Sequence, residues 1–436
     1  MQPIFPEYIK FLNSQGCNTD WFQERTFWLD RNMVKGFKRG GGQEPTPLFR
    51  IKVGDDLSVT LTEHKSLRDG LQFETWDETI RRMLPHLRDI EAKSIEILKK
   101  YCADSGRRVI SLNSTGKDSM VTTHLAKKAE IEFDTYFNVT TLDVAESNLM
   151  AKRNGYEHIF PDPQYEGFYK YIQRYSGGGE QLLPSRLNRF FCNYFKESPT
   201  IDNFDANEKL LFLFGMRNEE SARRSGYEDI WVNEKWGNRD WIGVLPIRQW
   251  TEFDIWLYIL LENIEINDKY RYGYTRVGCG IACPNYTKST WVLDRHWYPK
   301  AFTRWREIVR KDFVDNNKWL IMNCTIEEYV TKAWTGGVYR PEPTEEVIKE
   351  YAEHSGLDVE VARKYFNRYC MNGCKNKRGQ PLKIKDKNAL AMNMKLFGRQ
   401  VESFKCKRCL MKEFGWSDED WQDKISAFKR QGCQLF

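Results

Sequence analysis

Residues Arg107 to Ala129 read RRVISLNSTGKDSMVTTHLAKKA. RRVISLN is a short apolar run of strand type, KDSMVTTHLAKKA has helical spacing, and Ser114, Thr115, Gly116, Lys117, Asp118 and Ser119 lie across the junction. A strand that enters a helix through small residues leaves the first helical N–H groups aimed at the loop, and small side chains let an anion come close to them. Ser114, Thr115, Gly116 and Ser119 offer donors, and Lys117 adds a positive charge. The loop reads as a phosphate site. It is not a Walker A loop, because the G-x-x-x-x-G-K-[ST] spacing is absent.

The same alternation continues outward. FDTYFNVT (133–140) reads as a strand, DVAESNLMAKRNG (143–155) as a helix closed by glycine, and EHIF (157–160) and KLLFLFG (209–215) as further strands. Strands alternating with helices predict an α/β domain with a largely parallel sheet over about 103–265. Before it, Ile80, Met83, Leu84, Leu87, Ile90, Ile95 and Leu98 predict a helix from Glu78 to Tyr101. Residues 1–80 read as an irregular, aromatic-rich extension of unknown role, relieved by two short strands about a Gly-Asp-Asp turn in LFRIKVGDDLSVTLTEH (48–64). The domain that carries the loop is placed at 81–335. A helical and zinc-binding module follows at 336–436, opening on two short helices in PEPTEEVIKEYAEHSGLDVEVARKYFNRYC (341–370).

A chain of 436 residues suits two or three domains, and 41% hydrophobic residues suit a large core. The net charge of +6 is mildly basic and does not by itself point to nucleic acid. The 15 tryptophans fit either a core or a stacking surface. No apolar run is long enough to span a bilayer, and MQPIFPEYIKFLNSQ lacks the layout of a secretory signal, so a cytoplasmic protein without a membrane partner is expected. Eleven cysteines in a reducing compartment suggest metal or redox chemistry. Cys370 and Cys374, then Cys406 and Cys409, form two short-spaced pairs that read as a four-cysteine zinc site, a staple for a tail poor in aliphatic residues. Around them stand Lys375, Lys377, Arg378, Lys383, Lys385, Lys407 and Arg408, either a nucleic-acid contact surface or a solvated basic loop.

STGKDS resembles the S-x-G-K-D-S pyrophosphate loop of the adenine-nucleotide α-hydrolase, or PP-loop, superfamily, in the branch that contains PAPS reductase and the small subunit of ATP sulfurylase. FGMRNEESARRS (214–225) is similar to the G-x-R-x-x-E-S-x-x-R segment of that family, placing Gly215, Arg217, Glu220, Ser221 and Arg224. PIRQWTEFDIWLYI (246–259), YRYGYTRVGCGIACP (270–284) and RFFCNYFKESP (189–199) resemble three further family segments. The ordered matches cover about 108–300.

The resemblance implies ATP and Mg²⁺ as cofactors and cleavage between the α and β phosphates, leaving AMP on an acceptor oxygen. Loop amides and Lys117 would hold the pyrophosphate, Asp118 would cap the helix or place Mg²⁺, and Arg217 and Arg224 would neutralise phosphate charge. The arginines could instead form salt bridges with Glu219, Glu220 or Glu228. The resemblance also implies either a [4Fe–4S] cluster or a persulfide at Cys192, Cys279 and Cys283. A cubane wants four ligands, the fourth being Cys324 or a non-protein group. Metal-free buried thiols, and Cys192 as a sulfur-carrying nucleophile, stay open beside it. Lys117 and Asp118 are intact, and Cys433 lacks the Glu and His that flank the catalytic cysteine of PAPS reductases, so PAPS reduction is disfavoured.

The overall pattern looks most like the ATPase of the Dnd and Ssp DNA phosphorothioation systems. That implies sulfur incorporation into DNA, a persulfide donor such as a cysteine desulfurase, and partner subunits of a modification or defence system. Two alternatives remain. One is a sulfate- or RNA-directed adenylating enzyme. The other is a regulatory protein that binds adenine nucleotide or DNA without turnover.

Overall fold

The expected helix at Glu78–Tyr101 runs from Trp76 to Cys102 (α1) in the computed structural model. The structure describes all residues except 41–42, 68–69, 176–182, 187–188, 223, 279, 336–339, 341, 367, 377–378, 385, 399–400, 402 and 432–436. Cys279, Lys377, Arg378, Lys385 and Cys433 therefore lie outside the described residues. The start of α1 is fixed by a reciprocal cap: the Thr75 hydroxyl accepts from the Glu78 amide, and the Glu78 carboxylate accepts from the Thr75 amide. Its apolar stripe buries Ile80, Leu87 and Leu98.

The chain forms two compact units, Met1–Arg174 with Asn188–Thr303, and Tyr175–Leu187 with Arg304–Phe436. This division differs from the three-part reading of the sequence. Residues 1–80 lie in the first unit, and they are not irregular. They carry a five-stranded antiparallel sheet in sequence order: β1 (Gln2–Pro3), β2 (Trp28–Asp30), β3 (Met33–Gly36), β4 (Thr46–Val53) and β5 (Val59–Glu63). The expected pair about the Gly-Asp-Asp turn is β4 and β5, joined with Ile51 opposite Leu61. The first three strands are too short to show the period-2 alternation that marks a strand.

The second sheet of this unit is the predicted α/β core. Its strands are β6 (Arg108–Leu112), β7 (Asp134–Asn138), β8 (Glu157–Ile159), β9 (Leu210–Leu213), β10 (Ile230–Trp231) and β11 (Trp241–Val244), in the order β10-β11-β9-β6-β7-β8. All pairs are parallel except β10 with β11. β9 is buried at every position, as a strand covered on both faces must be. Helices α2 (Lys117–Lys128), α3 (Ala145–Arg153) and α4 (Glu252–Leu261) belong to the same unit. From β6 the chain builds outward through β7 and β8, then returns to lay β9 on the other side of β6. The strand order reverses between β6 and β9, and the crevice beyond the carboxyl ends of such neighbours is where open α/β sheets take ligands.

The second unit is mainly helical. The two expected helices are α5 (Glu345–Ser355) and α6 (Val359–Phe366), and α7 (Lys387–Phe397), α8 (Lys407–Phe414) and α9 (Asp418–Arg430) follow. Its core holds Trp319, Trp334, Tyr365 and Trp421, each under 2% exposed. With Trp28, Trp241 and Trp256 equally buried in the first unit, much of the tryptophan content is core. Among the described residues no helix is long and apolar enough to cross a membrane.

Candidate functional site at the strand-order reversal

The loop after β6 and the segment after β9 meet at the reversal. Gly215 follows β9, and a Cβ built on it would stand 2.7 Å from the carbonyl carbon and oxygen of Asp118 and 2.9 Å from the amide nitrogen of Ser119. Only glycine lets the two backbones approach so closely. Two motifs nearly a hundred residues apart in sequence therefore form one surface.

The loop is shaped from inside the protein. Thr115 is fully buried and has φ of 58°. A left-handed threonine is strained and must be held by its neighbours. Asn113 accepts from the Thr115 amide (2.8 Å) and from the Ser119 hydroxyl (3.1 Å), and donates to Thr123 (2.9 Å) and Tyr156 (3.2 Å). Asn267 donates to the hydroxyls of Thr115 and Ser147, each at 3.1 Å. The Tyr270 hydroxyl accepts from the Lys117 amide at 2.9 Å. Gly116 is the N-cap of α2 and supplies no side-chain cap, and Ser114 is exposed. Asp118 does not cap α2; its carboxylate is engaged with Lys117 and Arg217.

That engagement sets the electrostatics. Lys117 and Arg217 are 5% and 4% exposed. The Lys117 ammonium lies 3.2 Å from Asp118 and 3.4 Å from Glu252. Arg217 Nε donates to Asp118 at 2.6 Å, and its Nη1 pairs with Glu219. Burial works against the charge of Lys117, but Asp118, Tyr270 and Glu252 outweigh it and hold the ammonium above its ordinary range. Burial likewise opposes the Asp118 carboxylate, yet Lys117 and Arg217 hold it below its ordinary range. Glu220 accepts from the Arg217 amide at 3.0 Å and pairs with Arg224. The site is thus two buried cations, held in place by three carboxylates, beside a helix N-terminus whose N-cap is a glycine.

The sequence reading missed Asn113, Asn267 and Glu252 as contributors, and it met Tyr270 only as part of a motif.

The cysteines fall in two places. Cys192 ends the short helical turn Phe190–Cys192 and is half-buried, with Arg189 Nη2 donating to its Sγ at 3.7 Å. Cys283 is half-buried, and Arg276 Nη2 donates to its Sγ at 3.7 Å. With Cys279 outside the described residues, these positions form no described cluster. Cys324 belongs to the second unit, where burial pushes its thiol up to about 12. The four thiols expected to hold zinc do converge: Cys370, Cys374, Cys406 and Cys409 have ligand atoms all within 4.8 Å of one another. The Sγ separations are 3.6 Å for Cys370–Cys409, 3.4 Å for Cys374–Cys409 and 3.8 Å for Cys374–Cys406. Four sulfurs about 2.3 Å from a tetrahedral ion stand about 3.8 Å apart, so the donor set fits a metal of that kind. The Cys406 amide and Arg408 Nη2 each donate to a thiol, at 3.5 Å, as outer partners of a thiolate site do.

A largely parallel sheet with this loop at its reversal point is an α/β domain of PP-loop type. The family model of the phosphoadenosine phosphosulfate reductase domain matches residues 108–285. A sulfate adenylyltransferase subunit 2 of a Shewanella species is 30% identical over 211 residues, 43% of this chain and 68% of that protein. The chain belongs to the PAPS reductase-like family of PP-loop proteins. An uncharacterized protein of Methanocaldococcus jannaschii is 24% identical over 276 residues, 62% of this chain, and the chain spans 64% of that relative's length. The crystal structure of PAPS reductase from Candida auris, in a phosphate complex, aligns with a TM-score of 0.34 at 16% identity, over 48% of this chain and 96% of that one.

Proposed function

We propose that the chain cleaves ATP between its α and β phosphates and adenylates an acceptor. The observation that carries this reading is the pairing of a helix N-terminus whose N-cap is a glycine with two buried cations, Lys117 and Arg217, whose partners are carboxylates that a polyphosphate can displace. An oxygen of the acceptor forms a bond to the α phosphorus. The bond from that phosphorus to the bridging oxygen breaks, and pyrophosphate leaves on the loop. Amides at the start of α2, with Lys117, receive its charge, Arg217 neutralises charge that grows at the cleaved bond, and Arg224 reaches the phosphates from the segment after β9. When phosphate takes over Lys117 and Arg217, Asp118, Glu219 and Glu252 are released from them. Hard carboxylate oxygens of this kind suit Mg²⁺, which would supply further charge neutralisation when bound. Gly215 keeps the two loops in contact, Glu220 holds the backbone of Arg217, and Ser114, Thr115, Gly116 and Ser119 give the loop its shape and donors.

For the acceptor we favour a DNA backbone phosphate, with sulfur from a persulfide donor such as a cysteine desulfurase. Cys192, half-buried with Arg189 Nη2 3.7 Å from its Sγ, is our candidate to carry sulfur. Sulfate is the second reading, supported by the 30% identity to a sulfate adenylyltransferase subunit.

The test is product analysis of α-labelled ATP with Mg²⁺ and anaerobically purified protein, with no acceptor, with sulfate, and with duplex DNA plus a persulfide. AMP and pyrophosphate, lost in Lys117→Ala, are the expected products, and the acceptor that stimulates them identifies itself. Bound but intact ATP in every arm would overturn the catalytic reading and leave a nucleotide-binding regulator.

A further inference from the structure

The cysteine module carries more charge than its fold requires. From Tyr369 to Met411 the sequence has eleven Lys and Arg against two Asp and Glu, a net +9, whereas the whole chain is +6. The rest of the chain is therefore net acidic, and the basicity is concentrated around the four convergent thiols. A solvated surface has no need of such one-signed density, which repels itself.

Large rings stand exposed in the same module. Phe397, at the end of α7, is 41% exposed, and Phe414, at the end of α8, is 40% exposed. Their centroids are 6.3 Å apart, and Phe414 stacks on Trp416 at 4.8 Å with an interplanar angle of 20°. Lysines attend this row: the Lys405 ammonium lies 4.9 Å from the Phe397 centroid and that of Lys424 4.7 Å from Trp416. Glu413 and Asp418 pair with Lys405 and Lys407. Lys375, Lys395, Arg408 and Lys412 are exposed.

An acidic protein surface would answer the charge but gives no reason for exposed rings. A DNA duplex offers phosphates and hides its base faces. A strand with unpaired bases answers both, since cations track its backbone while bases stack on aromatic side chains. We propose that the second unit is a docking surface for single-stranded nucleic acid, with phosphates drawn to the basic module and unpaired bases stacked on Phe397 and Phe414. This inference is independent of the ATP chemistry.

The experiment uses the full chain and titrates a fluorescent oligothymidylate, then a duplex of equal phosphate count, over a series of salt concentrations. The single strand should bind more tightly, with affinity falling linearly on a log–log salt plot. Phe397→Ala with Phe414→Ala should weaken the single strand about tenfold or more, and leave the weaker duplex binding in place. Lys375→Gln with Lys412→Gln should weaken both probes and flatten the single-strand salt slope by about 1.4. Metal content and circular dichroism verify that each variant is folded. Absence of oligothymidylate binding at low salt would overturn the proposal, as would duplex bound equally well or a folded Phe double variant that binds like the parent. Pyrophosphate release without nucleic acid should be the same in parent and variants. If the parent releases none with any acceptor, the catalytic reading fails while docking is still judged on binding alone.

Discussion

At Gly215 a methyl group would collide with main chain, not with a side chain that could swing aside: the neighbours at 2.7 Å and 2.9 Å are the Asp118 carbonyl and the Ser119 amide. Gly215→Ala must push the segment after β9 away from the loop after β6, and Arg217 moves with it. We expect a stability loss of about 1–3 kcal/mol and a larger proportional loss of ATP affinity, read by thermal melts with and without nucleotide. Lys117→Ala acts differently. It removes a buried ammonium whose neighbours Asp118 and Glu252 are left with one cation fewer. The fold should survive, because Asp118 keeps Arg217 at 2.6 Å, while single-turnover pyrophosphate release should fall about 10²- to 10³-fold, the usual effect of deleting one preorganised donor to developing charge. A melting temperature that drops as far as the rate would show that Lys117 serves the fold instead.

At the scale of elements, three helices are joined by a single carboxylate. Glu91 of α1 accepts from Arg88 and from the Tyr258 hydroxyl of α4, each at 2.6 Å, and pairs with Lys128 of α2. Burial alone would raise its pKa, but hydrogen bonds from Lys128, Tyr258 and Arg88 outweigh it and pull the carboxyl down to about 2. An unfolded glutamate titrates near about 4.3, so the folded state binds the proton less readily. The contribution of Glu91 is therefore complete above about pH 4.3 and is lost as pH falls from there towards 2. Glu91→Gln should cost about 2–4 kcal/mol at neutral pH and should flatten the acid limb of the stability curve, measured by urea unfolding across that range. The same helices show what sequence can and cannot reveal. β6, α2 and β9 were legible because a buried run, a small-residue loop and a helical stripe are local patterns. β1 to β3 and β10 are two to four residues long and exist only through their partners. In the site, Lys117 was legible in the loop itself, whereas Asp118, Gly215 and Arg217 came through the resemblance of their segments to family motifs. Asn267 and the Tyr270 hydroxyl were not, because each meets the loop from more than 150 residues away. Asn113, two residues before Thr115, looked like an ordinary strand end until its amide was seen holding a left-handed threonine.

At the scale of the whole molecule, both units bury a core, and the second carries four convergent thiols besides. The first has a large apolar core that includes Leu211, Leu213, Val244 and Ile255. The second contains the four convergent thiols, and among the described residues the stretch from Cys370 to Cys409 forms isolated bridges, the short helix α7 and the start of α8. A metal bound by the four thiols would add folding free energy to that stretch. We expect one zinc per chain. Calorimetry of the metal-loaded protein should resolve two transitions, since the two units bury separate cores and the thiols lie in only one of them. A high-affinity chelator should lower or abolish one transition and leave the other at its temperature, and added zinc should restore it. Cys374→Ser should reproduce the chelator's effect without chelator. Adenine nucleotide should do the reverse, raising the transition that the chelator leaves alone, because Lys117, Asp118 and Arg217 all lie in the first unit. A single transition that moves equally with chelator and with nucleotide would show that the thiolate site and the loop belong to one cooperative structure, and would remove the basis for treating the metal as a staple of the second unit alone.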